Sequence, residues 1–211
     1  DWRVMRSVGP LSSPYARAVD GVEAIRTRIM TSLASILDPH SRGRFEIQES
    51  PPPYDAYQAY IAAIDAFWQG DFRKAESLDV LAAARDSTFD AASIGLAIAA
   101  ANRGDCGITD SVSRLLASRG TRISDLDRLD IRIAIARCHG RNEEMFRLVM
   151  VRAKSPSALP QWRVSNAAAA DWANRPGDAL QILQQVDPEH DLDWLPDTEH
   201  LAYWDGLSSA Y

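Results

Sequence analysis

Residues 67–75 read FWQGDFRKA. The aromatic pair closes a helix that carries small residues on one face, the Gly-Asp pair makes a turn, and a second helix restarts with an aromatic residue and, three positions later, an alanine. Similar turns recur within 102–105, 139–142 and 174–178, so that residues 70, 104, 140 and 176 lie 34, 36 and 36 positions apart. A fixed period in this range is typical of stacked helical hairpins, and the sequence therefore predicts a helical-hairpin solenoid.

The composition is that of a folded protein with an acidic balance. Hydrophobic residues make up 46% of the 211 residues and charged residues 25%, which disfavours a disordered chain. The formal net charge of −6 disfavours a general nucleic-acid-binding protein, because neutralising phosphates needs a basic face. No apolar run approaches the roughly 20 residues that a membrane-spanning helix requires.

Residues 1–50 are predicted to be the remnant of a preceding α/β segment. Residues 2–8 alternate weakly between apolar and polar side chains and are predicted to form a short strand, which Gly9 and Pro10 end. Apolar residues at spacings of three and four predict an amphipathic helix over 20–37. Because the chain starts inside the strand-like run and stops inside a helical pattern, we expect it to be a fragment of a longer protein.

Residues 54–211 are predicted to form the repeat domain, after a stiff triple-proline boundary at 51–53. Ser124 with Asp127 three residues later resembles a capping box. The alanine-rich first helices let neighbouring backbones approach closely; helix propensity alone is the alternative, but it does not account for turns at a fixed period. The predicted helices span residues 54–69, 72–84, 89–103, 109–118, 124–138, 142–154, 158–174, 177–185 and 198–211.

Position by position, residues 54–211 resemble the tetratricopeptide repeat family. When Gly70 is placed on the family's inter-helix turn, Phe72 falls on the aromatic residue that follows it. Ala75 then falls on the small residue that opens the second helix, and Ala82 on the second small position. The first hairpin, which contains these residues, resembles the family most closely.

The chain also departs from the family pattern. Ser87 stands where the family usually has proline, and Ala59 stands where a tryptophan is common. Cys106 replaces the turn aromatic of the second hairpin, and Pro176 replaces the turn glycine of the fourth. The resemblance implies an all-α fold, a right-handed superhelix of antiparallel helical hairpins. It would hold four hairpins and a truncated fifth, preceded by a short N-terminal strand and one packing helix.

A finer resemblance concerns the kind of protein in which such repeats occur. The strings PPPYDAY at 51–57 and TFDAA at 88–92 are similar to the C-terminal tetratricopeptide region of bacterial membrane-anchored serine/threonine protein kinases or one-component regulators. In that arrangement the repeats lie outside the membrane and follow a small α/β segment. This resemblance implies an extracytoplasmic location, with the cytoplasm as the alternative.

No pattern in the sequence points to an enzyme. There is no phosphate-binding loop, no G-x-G-x-x-G and no G-x-S-x-G, so we expect neither catalytic residues nor a cofactor. His190 and His200 lie in an acidic stretch that could be read as a metal site, but their spacing matches no ligand motif. The favoured interpretation is a solvated loop with Trp194 tucked into the core and no metal.

The two cysteines allow two interpretations. Cys106 lies at the start of the second helix of its hairpin and Cys138 at the end of the next helix. Neighbouring antiparallel helices place the start of one beside the end of the other, so both thiols fall on one rim, within reach of a disulfide. Two small buried apolar thiols are the alternative. The finer family resemblance favours the bridge, and a bridge implies an oxidising compartment.

Binding in tetratricopeptide proteins generally uses a concave groove lined by the first helix of each hairpin. Asparagine and arginine on such a groove suit hydrogen bonding to an extended peptide or a carboxylate, and tyrosine and tryptophan supply contact area. For the three aromatic candidates, packing against the N-terminal helix is the favoured alternative. With Ile64 and Ile94 beside them, the groove positions carried over from the family are Tyr57, Tyr60, Trp68, Asn102, Asp127, Asp130, Arg137, Arg163, Asn166 and Asn174.

The resemblance thus predicts a non-catalytic domain of a larger bacterial signalling protein that binds or senses a protein or peptide. We expect no nucleic-acid partner, and membrane contact only through a missing segment of the parent chain. The alternative is a structural oligomerisation or spacer module without a diffusible ligand. An uncapped last helix would expose an apolar face and could join two copies of the chain through Leu201, Tyr203, Trp204 and Leu207.

Overall fold

A computed structural model describes residues 12–15, 18–37, 51–118, 123–154, 162–187 and 203–208. All the regular secondary structure in these ranges is helical, so the prediction of an all-helical chain is confirmed for them. The strand predicted at 2–8 lies outside the described residues. Within the described ranges, a short helical segment at 203–208 follows nine helices: α1 (Ala18–Leu37), α2 (Tyr54–Trp68), α3 (Phe72–Arg85), α4 (Asp90–Arg103), α5 (Cys106–Ser118), α6 (Asp125–Cys138), α7 (Asn142–Arg152), α8 (Trp162–Trp172) and α9 (Pro176–Leu183).

The observed boundaries follow local chemistry. The predicted cap at Ser124 is present, since its hydroxyl oxygen accepts a hydrogen bond of 2.9 Å from the backbone N–H of Asp127 at the start of α6. Asp71 caps α3 in the same way, with a bond of 3.0 Å from the N–H of Lys74. Helix α5 begins at Cys106, three residues before the predicted start. The first residues predicted for the eighth helix, 158–161, lie outside the described residues.

The turn after α2 has the hydrogen bonds of a Schellman motif. The N–H of Gly70 donates to the carbonyl of Phe67 at 3.0 Å, and the N–H of Asp71 donates to the carbonyl of Ala66 at 2.9 Å. Gly70 has a φ of 75°, in the left-handed region where a side chain is strained. The motif satisfies the last carbonyls of α2 and reverses the chain within two residues, so α2 and α3 form an antiparallel hairpin.

The same pair of bonds recurs after α4, α6 and α8, where the left-handed residues are Gly104, Gly140 and Asn174, with φ of 78°, 64° and 58°. The fourth turn therefore corrects the sequence alignment, which had placed Pro176 at this position. Pro176 is instead the first residue of α9, where its missing N–H costs nothing. Asparagine can occupy the left-handed region because its short polar side chain tolerates that conformation.

Each turn is flanked by buried residues in one register. Four residues before each left-handed position stands an alanine at most 1% exposed, namely Ala66, Ala100, Ala136 and Ala170. Five residues after it stands a second residue at most 2% exposed, namely Ala75, Thr109, Met145 and Ala179. The alanines at these sites let the paired helices cross closely, so the alanine pattern reflects packing as well as propensity, whereas Met145 fills the equivalent site of the third hairpin with a larger side chain.

Consecutive helices pack on one another along the described chain, and α4 contacts α2 and α6 in addition. The first helices of the first three hairpins, α2, α4 and α6, therefore lie next to one another in turn. Helix α1 packs on α2, where Ala34 reaches the cluster around Tyr57 and Tyr60. Among the described helices, none is both long enough and apolar enough to cross a bilayer.

Candidate functional site

A cavity of about 230 Å³ opens between α2, α4, α6 and α8, and α3 and α7 contribute further lining residues. Most of its described lining residues are apolar, five of them aromatic, and five polar side chains complete the lining. A mainly apolar lining with a small number of polar groups is the usual make-up of a ligand pocket. The aromatic members are Phe67, Trp68, Phe72, Trp162 and Trp172, and the polar members are Asn102, Asp130, Arg137, Arg152 and Ser165.

The aromatic wall is built at helix ends. Phe67 and Trp68 end α2 with their rings 5.5 Å apart, edge to face, and Phe72 opens α3 with its ring 5.2 Å from that of Phe67. Trp162 and Trp172 are the first and last residues of α8. The Schellman turn between α2 and α3 therefore brings three of these rings together in the lining of the cavity.

One polar feature of the cavity is a buried ion pair between Arg152 and Asp130. Arg152 on α7 donates to the carboxylate of Asp130 on α6 at 3.2 Å, and Asp130 is 5% exposed. The same guanidinium donates to the side-chain oxygen of Asn166 at 3.0 Å and to the hydroxyl of Ser165 at 3.3 Å. It also lies over the Trp162 ring at 4.8 Å. This network ties α6, α7 and α8 together and cancels its own charge.

Arg137 is the other cation of the cavity, and its surroundings differ. Its guanidinium carbon lies 4.2 Å from the centre of the Trp172 ring, a cation–π contact between α6 and α8. Among the described residues, no carboxylate forms an ion pair with it. Burial lowers the pKa of Arg137 below its usual value, because the half-buried guanidinium is partly removed from water. The cavity thus contains one positive charge that no described side chain balances.

Four of the residues carried over from the family line the cavity, namely Trp68, Asn102, Asp130 and Arg137. Asn166 is buried beside it through its bond to Arg152. The side-chain amide of Asn102 donates to the carbonyl of Ile98 on its own helix at 2.9 Å.

The remaining predicted residues lie elsewhere. Tyr57 and Tyr60 are core residues; Tyr60 is 1% exposed and its ring lies 5.1 Å from that of Phe89, edge to face. Asn174 forms the fourth turn. Arg163 donates to the carbonyl of Gln185 at 3.1 Å, beyond the end of α9. Asp127 lies in the capped first turn of α6 and does not line the cavity.

Sequence reasoning missed Phe72, Arg152, Trp162, Ser165 and Trp172 as cavity residues. The family's groove positions lie along the first helices, whereas Phe72 and Arg152 lie on the second helices α3 and α7. Trp162 and Trp172 are the first and last residues of α8. The sequence feature that could have indicated two of these residues is the pair of tryptophans on either side of the alanine-rich run of α8, Trp162 and Trp172.

A disulfide joins Cys106 at the start of α5 to Cys138 at the end of α6, with the two Cα atoms 5.3 Å apart. Of the two interpretations that the sequence leaves open, the structure contains the bridge. Beside it, His139 and Asp110 approach each other to 3.0 Å on the surface.

No cluster of three or more potential metal ligands occurs in the part of the chain that the structure describes. The acidic stretch with His190 and His200 lies outside that part.

The chain matches no protein-family model, none of the curated proteins and none of the solved structures with which it was compared. The resemblance to tetratricopeptide repeats therefore stays a prediction, and the cavity is the feature that bears on function.

Proposed function

We propose that this chain is a non-catalytic binding domain that captures a peptide or protein segment in the cavity between α2, α4, α6 and α8. The observation that carries the proposal is the combination of an aromatic wall with Arg137, a cation that no described carboxylate balances. Aromatic side chains and arginine are the residues that most often dominate binding energies at protein interfaces.

The proposed architecture is a right-handed superhelix of the tetratricopeptide type. Four hairpin turns with the same hydrogen bonds and consecutive helix packing support it. In such a superhelix the first helices line the concave face, and the cavity draws most of its walls from α2, α4, α6 and α8.

The proposed setting is the extracytoplasmic region of a bacterial signalling protein, such as a membrane-anchored kinase or regulator. The disulfide between Cys106 and Cys138 supports this setting, because structural disulfides persist mainly in oxidising compartments. The domain would then report the presence of a bound protein or peptide to the rest of its parent protein.

A peptide-display screen against the purified domain tests the proposal. The affinity of any selected peptide is measured for Trp68→Ala and Trp172→Ala, with Trp204→Ala as the matched control, because Trp204 is 56% exposed and does not line the cavity. We expect the two cavity variants to bind at least tenfold more weakly and the control to bind as the parent does. Peptides that bind all three variants equally would place the binding site outside the cavity.

A structural oligomerisation module is the second candidate, and one observation favours it. Helix α1 carries an apolar stripe that packing on α2 leaves 43–80% exposed: Val19, Val22, Ile25, Ile29 and Leu33. Trp204 at the other end of the chain is also exposed, whereas the neighbouring Tyr203 is buried. If the molecule assembles through these surfaces, its mass in sedimentation equilibrium rises with concentration, and Ile25→Glu or Trp204→Ala abolishes the rise. A constant monomer mass contradicts this candidate.

A further inference from the structure

We propose that the cavity recognises an aromatic carboxylate, with the carboxylate bound by Arg137 and the ring held between Trp68, Phe72 and Trp172. This inference rests on the proposed function and deepens it, because the C terminus of a peptide that ends in an aromatic residue carries this chemistry. A free aromatic acid carries it as well.

The charge of the cavity sets the charge of the ligand. The charged residues that line it are Asp130, Arg137 and Arg152, and the ion pair between Asp130 and Arg152 is neutral as a unit. Among the described lining residues one positive charge remains, in a chain whose formal net charge is −6. A single carboxylate balances that charge, whereas a doubly charged phosphate would leave one negative charge among tryptophan rings, where desolvation is costly.

Arg137 has the geometry of an anion receptor. Its planar guanidinium presents five N–H donors, and stacking on Trp172 at 4.2 Å occupies only its face. The donors at its edge therefore stay available for a bidentate contact with two carboxylate oxygens. Partial burial lowers the pKa of Arg137 because it removes water from the guanidinium. A bound carboxylate would replace that water as the partner of the positive charge.

The volume of the cavity sets the size of the ligand. A cavity of about 150 Å³ is enough to hold a benzene molecule, and this one measures about 230 Å³. A single benzene- or indole-sized ring with its carboxylate fits this space, whereas several consecutive side chains do not. The five aromatic rings among its described lining residues favour a flat aromatic group, since offset and edge-to-face contacts add to the gain from burial.

Isothermal titration calorimetry on the intact chain tests the inference with two matched pairs of probes. One pair is 3-phenylpropionate and 3-phenylpropionamide, and the other is a five-residue peptide that ends in phenylalanine with a free or an amidated C terminus. We expect each acid to bind at least tenfold more tightly than its amide, because only the acid can pair with Arg137.

The variants Arg137→Gln, Arg137→Lys and Arg132→Gln separate the charge contact from folding. Arg132 is exposed on the same helix and does not line the cavity, so it is the matched control. Arg137→Gln should abolish the preference for acid over amide, Arg137→Lys should keep part of it, and Arg132→Gln should keep all of it. Equal binding of acid and amide by the parent chain, or a preference that survives in Arg137→Gln, overturns the inference.

The peptide arm separates this inference from the proposed function. A peptide that binds the cavity equally well with a free and an amidated C terminus supports the function and overturns the inference. A free acid that binds through Arg137 while neither this peptide nor any selected from the display screen binds supports the inference and overturns the function. If no probe and no selected peptide binds, both are overturned.

Discussion

Gly104 holds the turn between α4 and α5 in the left-handed region, at a φ of 78°, and no atom lies within 4 Å of the place a Cβ would occupy. The cost of a side chain there is therefore a backbone cost. We predict that Gly104→Ala lowers the free energy of unfolding by about 1–2 kcal/mol. Gly177→Ala is the control, because Gly177 is in helix α9 with open space around it and no positive φ.

Urea unfolding followed by circular dichroism measures both variants. Gly177→Ala should leave the unfolding midpoint unchanged or raise it slightly, since alanine favours the helix. If both variants shift the midpoint equally, the left-handed geometry of the second turn is contradicted.

Single residues also explain where the sequence misled. Gly70, Gly104 and Gly140 were placed correctly because glycine is the usual residue for a left-handed helix end. The fourth turn was assigned to Pro176 because Pro-Gly resembles a turn signal, whereas the left-handed residue is Asn174. Asparagine adopts that conformation less often than glycine, so it is a weaker indicator of a left-handed helix end.

The ion pair between α6 and α7 is a contact between elements, and we predict that it contributes substantially to stability. Asp130→Asn leaves the guanidinium of Arg152 in a buried site without its counter-charge, at an expected loss of about 3 kcal/mol. Arg128→Ala is the control, since Arg128 and Asp125 form an exposed pair at 3.5 Å and such pairs contribute about 0–1 kcal/mol.

Thermal and chemical unfolding measure the loss of unfolding free energy in both variants. A loss for Asp130→Asn no larger than that for Arg128→Ala would mean that water or neighbouring side chains screen the buried pair. The expected rank order follows from burial, because the pair of Asp130 with Arg152 is largely removed from water whereas the pair of Arg128 with Asp125 is exposed.

Helices and their order could be predicted from periodicity and turn residues, while the cavity could be predicted only in part. Periodic patterns report which face of a helix is apolar, and they located α2 to α9 to within a few residues. The cavity depends on which helix ends meet, and this is set by packing between hairpins. For this reason Trp68 and Arg137 were found, whereas Trp172, which contacts Arg137, was not.

The disulfide acts on the molecule as a whole, because it links the second hairpin to the third across a separation of 32 residues. On the chain-entropy model a loop of this length contributes about 3–4 kcal/mol to the free energy of unfolding. We predict that dithiothreitol lowers the melting temperature of the parent chain and has no effect on the double variant Cys106→Ser, Cys138→Ser. An equal response of the two proteins to dithiothreitol contradicts a structural bridge.

Placement of the bridge has a mechanical consequence for a chain of stacked hairpins pulled from its two ends. Force can separate helices that are held together only by packing, but the segment between Cys106 and Cys138 cannot extend while the two sulfurs are joined. At about 3.3–3.6 Å per extended residue, the bridge removes roughly 100 Å of contour length. In an oxidising environment the segment between Cys106 and Cys138 would therefore keep a fixed length under tension. Reduction of the disulfide would make the whole of that contour length available for extension in one step.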